Sequence, residues 1–231
     1  VEAAADGRLS IQRLREAAAS VRALKRRIAS LPPPPPSEEI RALITETGRR
    51  IAAESVTAVG RMPVTLDLGS RPLLVICDDL KGRGVEIAEE KAGEQLAGTH
   101  PLASVLLQRA PFQVLVFDEA PSAQDLVTLQ RQIGSATGVI GATFAHILCY
   151  KGDGTRLPAA QAELWRQLAN SGKLRAMMLF ESPYALADLP AGTPVVLGYG
   201  SDEFTLSATV AALMDGKPCP GRLPVTVGRS G

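Results

Sequence analysis

From residue 72 onward the chain alternates between two patterns. Short apolar runs at 73–77, 112–117, 144–150, 174–180 and 194–199 are rich in Val, Leu and Ile and predict buried strands. The segments 85–96, 123–133 and 159–169 carry apolar residues every three or four positions and predict helices. A last helix follows the final run, with Leu206, Val210 and Leu213 on one face and Gly216 as its stop. Residues 103–107 read as a strand or short edge piece, and 62–68 as a further strand. Unbroken apolar strands separated by helices predict an α/β fold: a doubly wound, mostly parallel sheet covered by helices on both faces. Ligands of such sheets sit beyond the carboxyl ends of the strands. Those ends carry Asp78 with Asp79, Asp118 with Glu119, Lys151, and Glu181 with Ser182.

The chain before the sheet has a different texture. Ser10 is a candidate N-cap, and Ile11, Leu14, Ala18, Val21, Leu24 and Ile28 then recur at helical spacing, with Arg and Lys on the opposite face. Such a helix needs a partner surface to bury its stripe. The partners to weigh are the rest of this chain, another domain, or a second copy forming a homodimer. Five prolines at 32–36 form a linker, a stiff spacer of roughly 15 Å at about 3.1 Å per residue. Ser37 caps the next helix, Glu38 and Glu39 suit its dipole, and Ile40, Leu43, Ile44, Ile51 and Val56 supply its apolar face. The organisation is therefore a helix over 1–31, a linker over 32–36 and an α/β domain over 37–231.

Composition narrows the function classes. Of 231 residues, 45% are hydrophobic but only 4% aromatic, so the core is aliphatic. The net charge is +1, with no basic block beyond Lys25, Arg26 and Arg27, which argues against nucleic acid as the main partner. No apolar run reaches membrane-spanning length. Cys77 and Cys149 lie in apolar runs and Cys219 between prolines, so no disulfide framework is expected and a reducing, cytoplasmic location fits. His146 falls in an apolar run and reads as a packed core residue, as does Trp165 in its helix. His100 precedes Pro101 and reads as solvated. No His spacing supports a metal site, and no cofactor is expected. The segment Lys81-Gly82-Arg83-Gly84 has two glycines of a phosphate loop, but Ile87 stands at the third position and Asp78 and Asp79 would repel a diphosphate. The run from Arg131 to Ala136 mimics an acetyltransferase pyrophosphate loop but follows a helix rather than a strand.

Three motifs occur in order near the end: Ser182-Pro183-Tyr184-Ala185-Leu186, Gly198-Tyr199-Gly200, and Pro220-Gly221-Arg222-Leu223-Pro224-Val225. Together they resemble the last part of the second domain of glycoside hydrolase family 3. The stretch Asp6-Gly7-Arg8-Leu9-Ser10 resembles that family's exit from its first domain, a (β/α)8 barrel, and Arg49 to Thr57 the helix leading into the second. The resemblance implies that a (β/α)8 catalytic domain is the partner, with carbohydrate at the domain interface. In β-glucosidase-like members a strand is followed by G-E-x-P-x-x-E, whose last Glu is the acid/base. Here the sequence is Asp118-Glu119-Ala120-Pro121-Ser122-Ala123-Gln124. A Gln124 amide cannot give and reclaim a proton as a carboxyl does. The β-N-acetylglucosaminidase branch also lacks that Glu and takes its catalytic Asp and His from the barrel. The resemblance therefore implies a non-catalytic C-terminal domain of an enzyme that hydrolyses terminal N-acetylglucosamine. Asp118, Glu119 and Ser182 are its candidate residues at the substrate rim. The alternatives are a stand-alone sugar- or protein-binding module of the same fold, and an independent enzyme using the strand-end carboxylates.

Overall fold

The computed structural model describes residues 6–8, 10–32, 36–63, 65–80, 100–146 and 156–227. Contacts divide the chain into two units, Val1–Ile44 and Thr45–Gly231. In the first, α1 runs over Ile11–Ala29. The Ser10 hydroxyl accepts the Arg13 amide at 3.0 Å, which satisfies one of the free donors of the first turn. Arg26 and Arg27 lie in the last turn, where positive charge suits the helix dipole. Helix α2, Ser37–Ser55, starts in this unit and continues into the second, with Glu38 and Glu39 in its first turn. Ser37 is its first helical residue.

The second unit is built on one six-stranded sheet. Its strands are β1 (Thr57–Val59), β2 (Pro72–Asp78), β3 (Gln113–Asp118), β4 (Gly138–Ala145), β5 (Leu174–Glu181) and β6 (Val195–Gly198), in the order β1-β6-β5-β4-β2-β3. All neighbours are parallel except β1, which pairs with β6 antiparallel. The helices are α3 (Pro101–Leu107), α4 (Ala123–Ser135), α5 (Ala159–Asn170) and α6 (Glu203–Met214), with a 3₁₀ turn at Pro183–Asp188.

Alternation along the strands sorts the core into two layers. Leu74, Ile76, Val116, Ile140, Phe144, Met178 and Phe180 face one side, against Leu102 and Leu106 of α3 and Leu206 and Val210 of α6. Leu73, Val75, Leu115, Phe117, Met177 and Leu179 face the other, against Leu129 of α4, Leu164, Trp165 and Leu168 of α5, and Ala185 and Leu186 of the turn. Helices thus cover both faces, as the pattern of apolar runs predicts. Trp165 is fully buried.

Three local expectations change. Residues 103–107 form part of α3 rather than a strand. A short apolar run has no period of its own to decide the matter, and the local signals at its start do: Pro101 opens the helix and the His100 side chain accepts the Leu102 amide at 3.2 Å. Residues 62–68 are irregular among those described, and the strand falls earlier, at Thr57–Val59. Three residues are too few to show a period of two. Strand β4 begins at Gly138, well before the apolar run that predicts it. Its two glycines interrupt the hydrophobic pattern, and Gly141 does so for a reason: a Cβ there would stand 2.8 Å from Trp165 Cζ3. The helix expected at 85–96, the loop at 81–84, Cys149 and Lys151 lie outside the described residues.

The tail returns to the start of the sheet unit. The Gly221 amide donates to Val56 O at 2.9 Å, and a Cβ on Gly221 would collide with the Ser55 carbonyl. Tyr199 donates its hydroxyl to Thr57 Oγ1 at 3.0 Å. Among the described residues no helix is long and apolar enough to cross a membrane.

These contacts make glycine a requirement at two places. Gly141→Ala and Gly221→Ala are each expected to lower stability by about 1–3 kcal/mol, the usual cost of forcing atoms into a filled space. Urea denaturation followed by circular dichroism reads this out, with an unchanged slope and a lower midpoint.

Candidate functional site

The parallel strands progress from β2 outward to β3, then cross back over β2 to β4, β5 and β6. The order reverses between β2 and β4, so the helices that follow them, α3 and α5, pack on opposite faces and the two carboxyl ends lie at the switch-point crevice, the usual ligand position in such sheets. Three titratable residues meet there. Asp78 ends β2, His146 follows β4 directly, and Glu181 ends β5. His146 Nε2 lies 2.8 Å from Asp78 Oδ1, and its Nδ1 lies 2.8 Å from Glu181 Oε2. The other Asp78 oxygen, Oδ2, lies 3.1 Å from His100 Nε2.

Hydrogen bonding assigns the protons. His100 Nδ1 accepts the Leu102 amide, so its Nε2 carries the hydrogen and donates to Asp78. His146 faces a carboxylate at each nitrogen, which requires both to be donors. Its hydrogen bonds to Asp78 and then Glu181 push its pKa up to about 10, against the opposing effect of partial burial. Phe144 holds both rings, tilted against His100 at 5.4 Å and stacked with His146 at 6.5 Å between centroids.

Glu181 reaches this cluster through an unusual backbone. Its φ is 71°, the left-handed region that a side chain with a Cβ rarely adopts. Met177 and Leu179, four and two residues before it, face the α4–α5 layer, whereas Asp78 continues the Leu74 and Ile76 side. Regular alternation would therefore send the Glu181 carboxylate away from His146. The left-handed turn brings it back, at a cost of order 1 kcal/mol. Ser182 follows, fully buried, with its amide on Ala145 O at 3.2 Å. Among the described residues its hydroxyl has no hydrogen-bond partner.

The other expected residues sit nearby in different roles. Asp118 pairs with Asp78 in the β2–β3 register and accepts the Leu80 amide at 3.2 Å. Glu119 is exposed. Gln124 lies in the first turn of α4. That turn is closed by a capping box: the Ser122 hydroxyl accepts the Asp125 amide at 3.2 Å, and Asp125 accepts the Ser122 amide at 2.8 Å. The carboxylate nearest the G-E-x-P-x-x-E position is thereby committed to the backbone. Arg131 to Ser135 lie inside α4, so this segment is not a strand-to-helix loop.

Both histidines depart from expectation. His146 is a half-buried, doubly paired cation rather than a packed core residue, because Asp78 and Glu181 arrive from strands 68 and 35 residues away. His100 is 6% exposed rather than solvated, held by Asp78 and by capping α3. The sequence signal is a His just past an apolar run whose parallel neighbours end in Asp and Glu.

Chemically this arrangement is a clasp. Neither His146 nitrogen is available to take a proton from a nucleophile. Cys77 is buried, and burial pushes its thiol well above the ordinary range, so it is held protonated. Among the described residues no group of three or more His, Cys, Asp or Glu is placed to hold a metal ion.

No family model matches the chain, and no curated protein matches it. Solved structures do. The chain is similar over its whole length to a glycoside hydrolase family 3 β-N-acetylglucosaminidase from Paenibacillus sp. str. FPU-7, with 18% identity and a TM-score of 0.69, and covers 42% of that chain. β-Glucoside phosphorylase BglX is similar over 97% of this chain, at 20% identity and a TM-score of 0.64, with 40% of its own length covered. A fungal multi-domain family 3 β-N-acetylglucosaminidase is similar over 98%, at 14% identity and a TM-score of 0.61, with 24% covered. The chain shares its fold with these structures and spans less than half the length of each.

The clasp makes stability depend on pH in a defined direction. The folded pKa of His146 is raised, so its contribution is fully present below its ordinary value of 6.5 and disappears as pH rises toward about 10. His146→Gln leaves Asp78 and Glu181 facing each other and is expected to cost about 2–3 kcal/mol near neutrality. The gap between wild type and variant, measured by thermal melts, should be widest below pH 6.5 and narrow through pH 10.

Proposed function

We propose that this chain is the C-terminal α/β domain of a family 3 glycosidase of the β-N-acetylglucosaminidase type, and that it supplies no catalytic group of its own. The catalytic Asp and His belong, on this reading, to a (β/α)8 domain outside this chain. On this reading the sheet unit packs beside that domain and presents Asp118 and Glu119 to the rim of the sugar site, while Ser182, the third candidate, is fully buried. The parent enzyme releases terminal N-acetylglucosamine residues.

One observation carries the reading. The whole chain superposes on a family 3 β-N-acetylglucosaminidase while accounting for 42% of it. The site chemistry supports it. By the motif resemblance Gln124 stands where the family's acid/base would; it lies in a capped helix turn, and His146 is engaged at both nitrogens. A carboxylate rim at a crevice also suits a stand-alone sugar-binding module, because carboxylates accept hydrogen bonds from sugar hydroxyls.

The purified chain is expected to show no hydrolysis of 4-nitrophenyl N-acetyl-β-D-glucosaminide above the uncatalysed rate. Turnover that disappears on replacing Asp118 and Glu119 with Asn and Gln would overturn the reading. Calorimetric binding of N-acetylglucosamine without turnover would favour the binding module.

A further inference from the structure

Helix α1 presents a seam that the functional reading leaves unexplained. Leu14, Ala17, Val21, Leu24, Ile28 and Leu31 follow one another at alternating spacings of three and four, the seam of a helix that pairs with another helix. The chain turns one further step past the helix end, with the Leu31 amide on Ile28 O at 3.1 Å. No residue of α1 is buried, and Val21, Leu24, Ile28 and Leu31 are 52–60% exposed. In proteins most helical stability comes from packing an amphipathic face, and α1 packs none of its own; a continuous exposed apolar stripe marks an interaction surface.

The charges beside the seam say what covers it. The positions flanking it include Arg13, Lys25 and Arg27, and no acid. Along 11–29 the basic residues are Arg13, Arg15, Arg22, Lys25, Arg26 and Arg27, against Glu16 alone, and Glu16 lies away from the seam. A second copy paired antiparallel would set Arg13 against Arg27. A lipid surface favours a broad face with aromatic residues at its edge, whereas this seam is narrow and 11–31 contains no Trp, Tyr or Phe. Alanines at 17, 18 and 19 permit close approach of another helix.

We propose that α1 docks through this seam into an apolar helical groove, on polypeptide outside this chain, whose flanking positions carry Asp and Glu. The pairing is chosen by charge as well as by fit: like-charged flanks are rejected and opposite ones are accepted. This partner is compatible with the domain assignment above but does not depend on it.

The test uses the full chain and two labelled peptides of about four heptads. Both carry Leu and Ile in the seam. One has Glu at every flanking position and the other Lys, so neither self-associates. Fluorescence anisotropy is expected to show binding of the Glu peptide, weakened at least about tenfold when salt rises from about 0.05 to about 0.5 M, and no binding of the Lys peptide. The Arg13→Glu/Lys25→Glu/Arg27→Glu variant keeps the apolar seam and is expected to reverse the preference. Val21→Asp/Ile28→Asp is expected to bind neither peptide. Equal binding of both peptides by the wild type, or binding of neither, would overturn the proposal. So would dimers in sedimentation that Val21→Asp/Ile28→Asp abolishes, or capture on phosphatidylglycerol vesicles that the same variant abolishes.

Discussion

Three parallel strands end in the same crevice, and two of them end in carboxylates. Left alone, Asp78 and Glu181 would repel each other in a place that water reaches only in part. One imidazolium resolves this. His146 bridges the two at 2.8 Å on each side and ties the ends of β2, β4 and β5 together. Other features of the crevice follow from it. Glu181 accepts a left-handed backbone to reach the bridge. His100 is fixed in one tautomer because its Nδ1 accepts the Leu102 amide while capping α3, which leaves Nε2–H to donate a hydrogen bond to the remaining Asp78 oxygen. The aromatic rings of Phe144 and Phe180, stacked at 4.5 Å, floor the cluster. A group locked in this way fixes the strand ends relative to one another.

Most of the sheet was legible in the sequence because each central strand is buried on both faces and reads as an unbroken apolar run. β2 and β5 show this most plainly. Elements failed to show where physics removed the signal. β1 has three residues, and β4 hides its first half behind two glycines, Gly138 against the Leu68 backbone and Gly141 against Trp165. Residues 103–107 were ambiguous because Leu and Val in a short run suit either state. Their context, a capping His and a Pro, decides for helix.

The site was half legible. The strand-end rule pointed to Asp78, Asp79, Asp118, Glu119, Lys151, Glu181 and Ser182; Lys151 lies outside the described residues, and the structure places the others at or beside the carboxyl edge. What joins them could not be read, because the two histidines look ordinary in their local context. Their roles come from partners distant in sequence that the parallel topology brings within 3.1 Å. Ser122 and Asp125 form a capping box that is visible in the sequence, and recognising it explains why the residues after Glu119 behave as a helix start.

The return of the tail has a mechanical consequence. The segment bearing Gly221 lies against Val56, so the sheet unit is gripped near one edge at both of its chain ends. Tension applied along the polypeptide would fall first on the Gly221–Val56 contact and next on the three-residue ladder between β1 and β6. Antiparallel strands pulled from neighbouring ends part like a zipper, one bond pair at a time. The parallel centre of the sheet would stay unloaded while this edge gave way.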